Sequence, residues 1–232
     1  MQFVVGTSGY SYAGWKGSFY PLKLPQKEML SYYSQRFSTV ESNSTFYKLP
    51  DVKTVESWIG QVPSTFQFAV KAPQTITHHK RLKDATAEIE QLSRVLSAFS
   101  KRLGPVLYQL PPNFKKDLAR LTDFLTLIKG QKAAFEFRHE SWFDDEVIKC
   151  LGDRGCPLCI ADAEDLPAQQ LVTKAKWGYV RLRRDNYADS ELEKWIKWLR
   201  AQKWQTAYIY FKHDDVGVGA KLAARFLELA GD

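Results

Sequence analysis

Eight short apolar stretches of strand character alternate with helical stretches along the chain, and they predict a single (β/α)8 TIM barrel over residues 1–232. The repeat is about 30 residues, the typical size of a βαβ step. Two further observations agree with one barrel. No Pro/Gly/Ser-rich linker or low-complexity tract divides the chain, and several strands place polar residues on one face and apolar residues on the other. In a barrel the outer face packs on helices and must be apolar, so the polar face points inward and its last residues reach the C-terminal mouth. The competing arrangement is an open doubly wound sheet, which needs no pairing of the first strand with the last.

The elements follow in order. Phe3-Val4-Val5-Gly6 reads as the first strand and leads into the loop Thr7–Tyr12 with Trp15. After Pro25, helical spacing of Met29, Leu30, Tyr33 and Phe37 predicts a helix. Thr39–Asn43 is the second strand, and Asp51 is a good N-cap for a helix striped by Val52, Val55, Trp58 and Ile59. Phe66–Lys71 is the third strand; Ile89, Leu92, Leu96, Phe99 and Leu103 mark the helix after it. Pro105–Leu110 is the fourth strand, stopped by Pro111-Pro112, and Leu118 to Ile128 the next helix. Ala133-Ala134 opens the fifth strand, which runs into Phe135–Trp142, and Asp144–Leu151 is a short helix. Pro157–Asp162 is the sixth strand, with a weakly marked helix near Ala168–Ala175. Trp177–Leu182 and Ala207–Phe211 are the seventh and eighth strands. Helices are marked by Leu192, Trp195, Ile196 and Leu199 between them, and by Leu222, Ala223, Phe226 and Leu227 after them.

The net charge of +7 favours anionic partners, either a small phosphate-bearing or acidic molecule or nucleic acid. Three cysteines in a chain this long argue against a disulfide scaffold and for a reducing compartment. The chain opens in a strand-like run rather than a signal segment, and no apolar run approaches a membrane span. The expected setting is cytoplasmic, without membrane partners.

Side-chain alternation assigns the polar face strand by strand. Glu41 shares a face with Asn43, Lys71 with Gln67 and Ala69, Gln109 with Leu107, Glu136 with Arg138, Tyr179 with Arg181, and Tyr208 and Tyr210 with Lys212. Glu41, Asn43, Lys71, Gln109, Glu136, Arg138, Asp162, Arg181 and Lys212 are therefore expected to converge at the mouth. Buried charges there have to be paired, hydrated or bound to ligand.

The same strand ends carry a resemblance. Gly6–Tyr12 with Trp15, Val40–Tyr47, Val70–Pro73 with Thr77-His78, Leu103–Pro112 and Phe135–Trp142 resemble the YecE-like family, a domain of unknown function, over nearly the whole chain. The resemblance implies a TIM barrel and supplies no established reaction. The chain departs from the family pattern at Arg183-Arg184 after strand seven, at Lys212–Asp215 after strand eight, and at Ala223-Ala224.

Three chemistries fit these residues. In the leading one, Glu41 and Glu136 are a general acid and base of a hydrolase on an anionic, phosphate-bearing substrate. Lys71, Arg138, Arg181 and Lys212 then clamp the anion, with Asn43, Gln109, His78, His139 and Asp162 lining the site. Tyr10, Tyr12, Trp15, Tyr47 and Trp142 are expected in the mouth loops, where they can stack on a base or sugar. The loop Asp215–Gly219 opens the last helix, where barrels often take phosphate, although Asp214 and Asp215 oppose an anion there. The second reading is a non-enzymatic nucleic-acid-binding module, and the third a glycoside hydrolase using Glu41 and Glu136. His78, His79, His139 and His213 lack metal-ligand spacing, and Cys156–Cys159 is a lone CxxC, so neither metal nor cofactor is expected.

Overall fold

The computed structural model describes residues 1–163, 171–212 and 216–231. Among the described residues there are eight parallel strands: β1 (Gln2–Thr7), β2 (Thr39–Ser42), β3 (Gln67–Lys71), β4 (Leu103–Gln109), β5 (Ala133–Glu136), β6 (Cys159–Asp162), β7 (Trp177–Leu182) and β8 (Thr206–Phe211). They form two four-stranded sheets, ordered β1-β8-β7-β6 and β2-β3-β4-β5. β1 pairs along its whole length with β8, from Gln2 opposite Thr206 to Thr7 opposite Phe211, which an open doubly wound sheet does not do. At the two flanks where the sheets meet, the ladder shrinks to single bridges. Ser8 bridges Glu41 between β1 and β2, and Phe135 bridges Leu158 beside β6. The fold is an α/β arrangement of parallel sheets, TIM-barrel-like in its layout.

The helices are α1 (Met29–Ser34), α2 (Ser44–Tyr47), α3 (Val52–Ile59), α4 (Thr86–Ala98), α5 (Leu118–Leu127), α6 (Asp145–Asp153), α7 (Asp189–Arg200) and α8 (Val218–Ala230). Short polar side chains start several of them. Asp51, Asp117 and Asp144 each accept a backbone N–H of the first turn of α3, α5 and α6. Of the helix expected near Ala168–Ala175, residues 171–175 are not helical, and Ala168–Gln170 lie outside the described residues. The second strand stops a residue early, because Asn43 turns to αR backbone at the start of α2.

Alternation sorts the core as expected. Phe3, Val5, Phe68, Val70, Val106, Tyr108, Phe135, Val180, Ile209 and Phe211 face outward into the helix layer. A second cluster fills the space between the sheets: Val4, Ala69, Leu107, Ala134, Cys159, Tyr179, Tyr208 and Tyr210. Its members come from seven of the eight strands, every one but β2, so the floor beneath the strand ends is built by both sheets. At the opposite end Lys132 Nζ donates to Tyr208 Oη (2.8 Å), which donates to Gln67 Oε1 (2.7 Å) and plugs the interior from below.

Candidate active site

The C-terminal ends of β2, β5 and β7 bring Glu41, Glu136 and Arg181 together inside the protein. All three are at most 2% exposed. Arg181 donates from one terminal nitrogen to Glu136 Oε2 (2.7 Å) and from the other to Glu41 Oε1 (2.8 Å). One guanidinium thus ties two carboxylates of one sheet to a strand of the other, and its planar fork suits that geometry. Further donors reach the same two carboxylates. Ser8 Oγ donates to Glu41 Oε1 (2.8 Å) and Tyr179 Oη to Glu41 Oε2 (2.7 Å). Gln109 Nε2 donates to Glu136 Oε1 (2.6 Å), as does Arg138 Nε (3.3 Å), and the Cys159 thiol lies 4.0 Å from Oε2.

These contacts decide the charge states. Burial works against ionisation of Glu41, but Arg181 above all, with Tyr179, Ser8 and Lys71, outweighs it and lowers the pKa. Burial is likewise the largest influence on Glu136, yet Arg181 and Arg138 together hold it down to about 2. Both carboxylates are therefore ionised at neutral pH. The group that titrates nearer neutrality is Lys71, pushed down to about 8 by burial and by Arg181, against the pull of Glu41 and Glu136. Its ammonium sits 4.1 Å above the Phe46 ring and has no ion pair or hydrogen bond among the described residues. His78 packs nearly perpendicular to the same Phe46 ring, centroids 4.9 Å apart, and is paired through Nδ1 with Thr77 Oγ1 (2.9 Å). Burial, Lys71 and Arg138 push His78 down to about 4, so its imidazole is neutral. Arg183, half-buried one alternation beyond Arg181, has its pKa lowered by burial and by Arg181, and its guanidinium makes no hydrogen bond among the described residues. Two buried polar atoms lack a protein partner here, Asn43 Oδ1 and Arg181 Nε.

The strand ends thus gather Glu41, Lys71, Gln109, Glu136, Arg138 and Arg181, with His78 beside them, as alternation predicts. Asp162 and Lys212 stand apart. Asp162 accepts from Arg184 Nε (3.1 Å) and Tyr187 Oη (2.9 Å), and Lys212 pairs with Asp185 (2.6 Å), a separate polar cluster beyond β7 and β8. His139 has a local task, since its Nδ1 accepts the Ser141 N–H and caps a short 3-10 turn.

The expectation for the loop aromatics needs correction. Trp15 and Trp142 are fully buried and line no mouth. Trp15 packs among Tyr12, Phe19 and Tyr20, while Trp142 stacks on Phe137 with ring centroids 4.5 Å apart and donates to the Phe114 carbonyl (2.7 Å). An indole of this size gains more from core packing, with its N–H satisfied by a backbone carbonyl, than from solvent. Trp142→Ala is accordingly expected to cost about 3–5 kcal/mol in urea unfolding; a loss below about 1 kcal/mol would contradict the packing role. Tyr10 is half-buried against Tyr33, whereas Tyr47 is 74% exposed. His213, Asp214 and Asp215 lie outside the described residues. Sequence reasoning passed over Ser8 and Arg183 as site residues and noted Tyr179 only as a face-mate of Arg181. The period of two from Val4 to Ser8 and from Tyr179 to Arg183 was the signal for all three. Among the described residues no group of three or more His, Cys, Asp or Glu is placed to hold a metal, and no helix is long and apolar enough to cross a membrane.

Residues 4–232 match the family model described as "Protein of unknown function DUF72". The chain belongs to the DUF72 family. UPF0759 protein YunF of Bacillus subtilis (strain 168) is 26% identical over 266 aligned residues, covering 97% of this chain and 93% of the relative. UPF0759 protein YecE of Escherichia coli (strain K12) is 30% identical over 153 residues, 63% of this chain and 56% of its own length. The YecE-like resemblance of the strand ends is thereby borne out. A crystal structure of a DUF72 family protein from Thermotoga maritima MSB8 matches with a TM-score of 0.82 at 26% identity, with 100% of both chains covered. A D-tagatose 3-epimerase-like protein matches with a TM-score of 0.57 at 13% identity, covering 100% of this chain and 98% of that one, a likeness of fold alone. DUF72 is by its own description a family of unknown function, so the chemistry has to come from the site.

Proposed function

We propose that this DUF72 protein is a cytoplasmic hydrolase that binds a small phosphate-bearing molecule at the C-terminal ends of its strands. In this reading the two sheets close into one barrel through the Ser8–Glu41 and Phe135–Leu158 bridges, whose interior Glu41, Glu136 and Arg181 cap. The observation that carries the reading is the imbalance of charge. Lys71, Arg138, Arg181 and Arg183 surround two carboxylates that already share Arg181 and that neither Lys71 nor Arg183 pairs with directly. An anion relieves that excess, and Asn43 Oδ1 and Arg181 Nε offer it, or its hydroxyl groups, an acceptor and a donor.

Roles follow from the charge states. Glu41 and Glu136 are positioning residues that orient Arg181, since carboxylates held so far below neutrality are weak proton acceptors. Arg138 and Arg183 hold the phosphate. Lys71, protonated below about 8, gives its proton to the departing ester oxygen as water attacks phosphorus, and the amine then takes back the proton that the attacking water sheds. The glycosidase reading is less favoured, because its acid has to be a carboxyl with a raised pKa and neither glutamate is. The free thiols of Cys150, Cys156 and Cys159 suit a reducing compartment.

Calorimetry with inorganic phosphate and turnover of a phosphoester panel test the reading. Arg138→Ala and Arg183→Ala are each expected to weaken phosphate binding about tenfold, the value of one charge-assisted hydrogen bond. Turnover of uncharged esters with no affinity for phosphate sinks the proposal. Affinity for single-stranded nucleic acid that falls steeply with salt would put the binding-module reading in its place.

A further inference from the structure

We infer that the Lys71 amine is a nucleophile that captures a small carbonyl compound bearing an anionic group, an α-keto acid or a ketose phosphate, as a covalent imine. This goes beyond hydrolysis. It borrows from the reading above only the anion subsite at Arg138 and Arg183.

Three features of the surroundings carry it. First, Lys71 ends β3 among charges and, among the described residues, is ion-paired to none of them: both nearby carboxylates are engaged with Arg181, so only their longer-range pull and the Phe46 ring face favour the protonated form. Second, its nitrogen lies 4.1 Å over the Phe46 ring, with the neutral His78 packed against the same ring, and burial withholds water from the amine. Third, the cations Arg181 and Arg138 stand close enough to disfavour a further positive charge on Lys71. Desolvation and neighbouring cations are the two ways a lysine becomes a nucleophile near neutral pH. With its pKa at about 8, Lys71 is deprotonated on the order of a few hundredfold more often at neutral pH than an ordinary lysine.

The step balances. The amine lone pair attacks the carbonyl carbon, a C–N bond forms, and a proton passes from nitrogen to oxygen to give a carbinolamine. The oxygen then leaves as water with a second proton, and the nitrogen lone pair closes the C=N bond. Overall, one ammonium and one carbonyl become one protonated imine and one water. Arg138 and Arg183 are positioned to hold the anionic end of the captured molecule, and the iminium withdraws electrons from the adjacent carbon.

Reductive trapping decides it. The full chain is incubated with pyruvate, with dihydroxyacetone phosphate and with uncharged hydroxyacetone, each with sodium borohydride, and the adducts are located by peptide mass mapping. Lys71 is expected to be labelled at least about tenfold above any other lysine by the two anionic compounds, and Lys71→Arg, which keeps the charge, to lose that adduct. Inorganic phosphate is expected to slow labelling of the unsubstituted protein. Labelling spread evenly over surface lysines, or no adduct at Lys71, overturns the inference. Selective labelling of Lys71 by all three compounds without phosphate protection keeps the nucleophile and removes the anion subsite instead.

Discussion

Replacing Arg181 with methionine is expected to destabilise the protein by about 3–5 kcal/mol, because two buried carboxylates would lose the cation they share. The pH dependence of stability should also change sign. In the native protein Glu41 and Glu136 have folded pKa values below their unfolded ones. Their contribution is present above the unfolded carboxyl value, about 4.3, and is lost as pH falls toward about 2 for Glu136. Without Arg181, burial dominates and raises the folded values. The folded state then binds protons that the unfolded state does not, so the variant gains stability as the pH drops from 7 toward 5. Urea unfolding of both proteins at pH 7 and pH 5 measures this. An Arg181→Met protein as stable as its parent at pH 7, or weakened further at pH 5, would show that the three groups are not coupled. Adding Glu41→Gln and Glu136→Gln to Arg181→Met is expected to recover part of the loss, since no charge is then left buried.

Gly6→Ala is expected to cost about 3 kcal/mol, the upper end of what an added methyl group does in a packed interior. Gly6 lies in β1 where that strand meets β2, and a Cβ there would collide with the Thr39 carbonyl oxygen and come within 2.9 Å of Tyr33 Oη. That hydroxyl stands in for the missing ladder. It accepts the Thr7 N–H (2.8 Å) and donates to the Thr39 carbonyl (3.0 Å), binding β1 to β2. A side chain at position 6 drives these groups apart at one of the two seams between the sheets. Thermal unfolding should fall by roughly 6–12 °C for a chain of this size. A drop of less than about 2 °C would mean that the seam yields without cost.

Strand alternation made much of the site legible. Glu41, Lys71, Gln109, Glu136, Arg138 and Arg181 all lie where a period of two puts them, because a strand packed on helices along its outer face leaves a charged side chain only the inward direction. Asp162 and Lys212 satisfied the same pattern and still joined a different cluster, since alternation sets a face and not a partner. Arg184, Tyr187 and Asp185, all from the segment after β7, decided theirs. Trp15 and Trp142 were misplaced for another reason. A loop indole reads the same whether it faces a ligand or the core, and the choice rests on distant groups such as the Phe114 carbonyl.

The sequence by itself determined the eight-unit rhythm, the inward face of the strands and the family, because these depend on local periodicity and on short motifs at strand ends. The tertiary structure alone decided that the fifth-strand stretch around Glu136 is half of a double pairing. Arg181, 45 residues from Glu136 and 140 from Glu41, satisfies both carboxylates at once. That pairing holds the glutamates ionised and leaves Lys71 without a direct ion pair among the described residues. Charge states in a buried network depend on which groups meet in space, and no spacing along the chain records that.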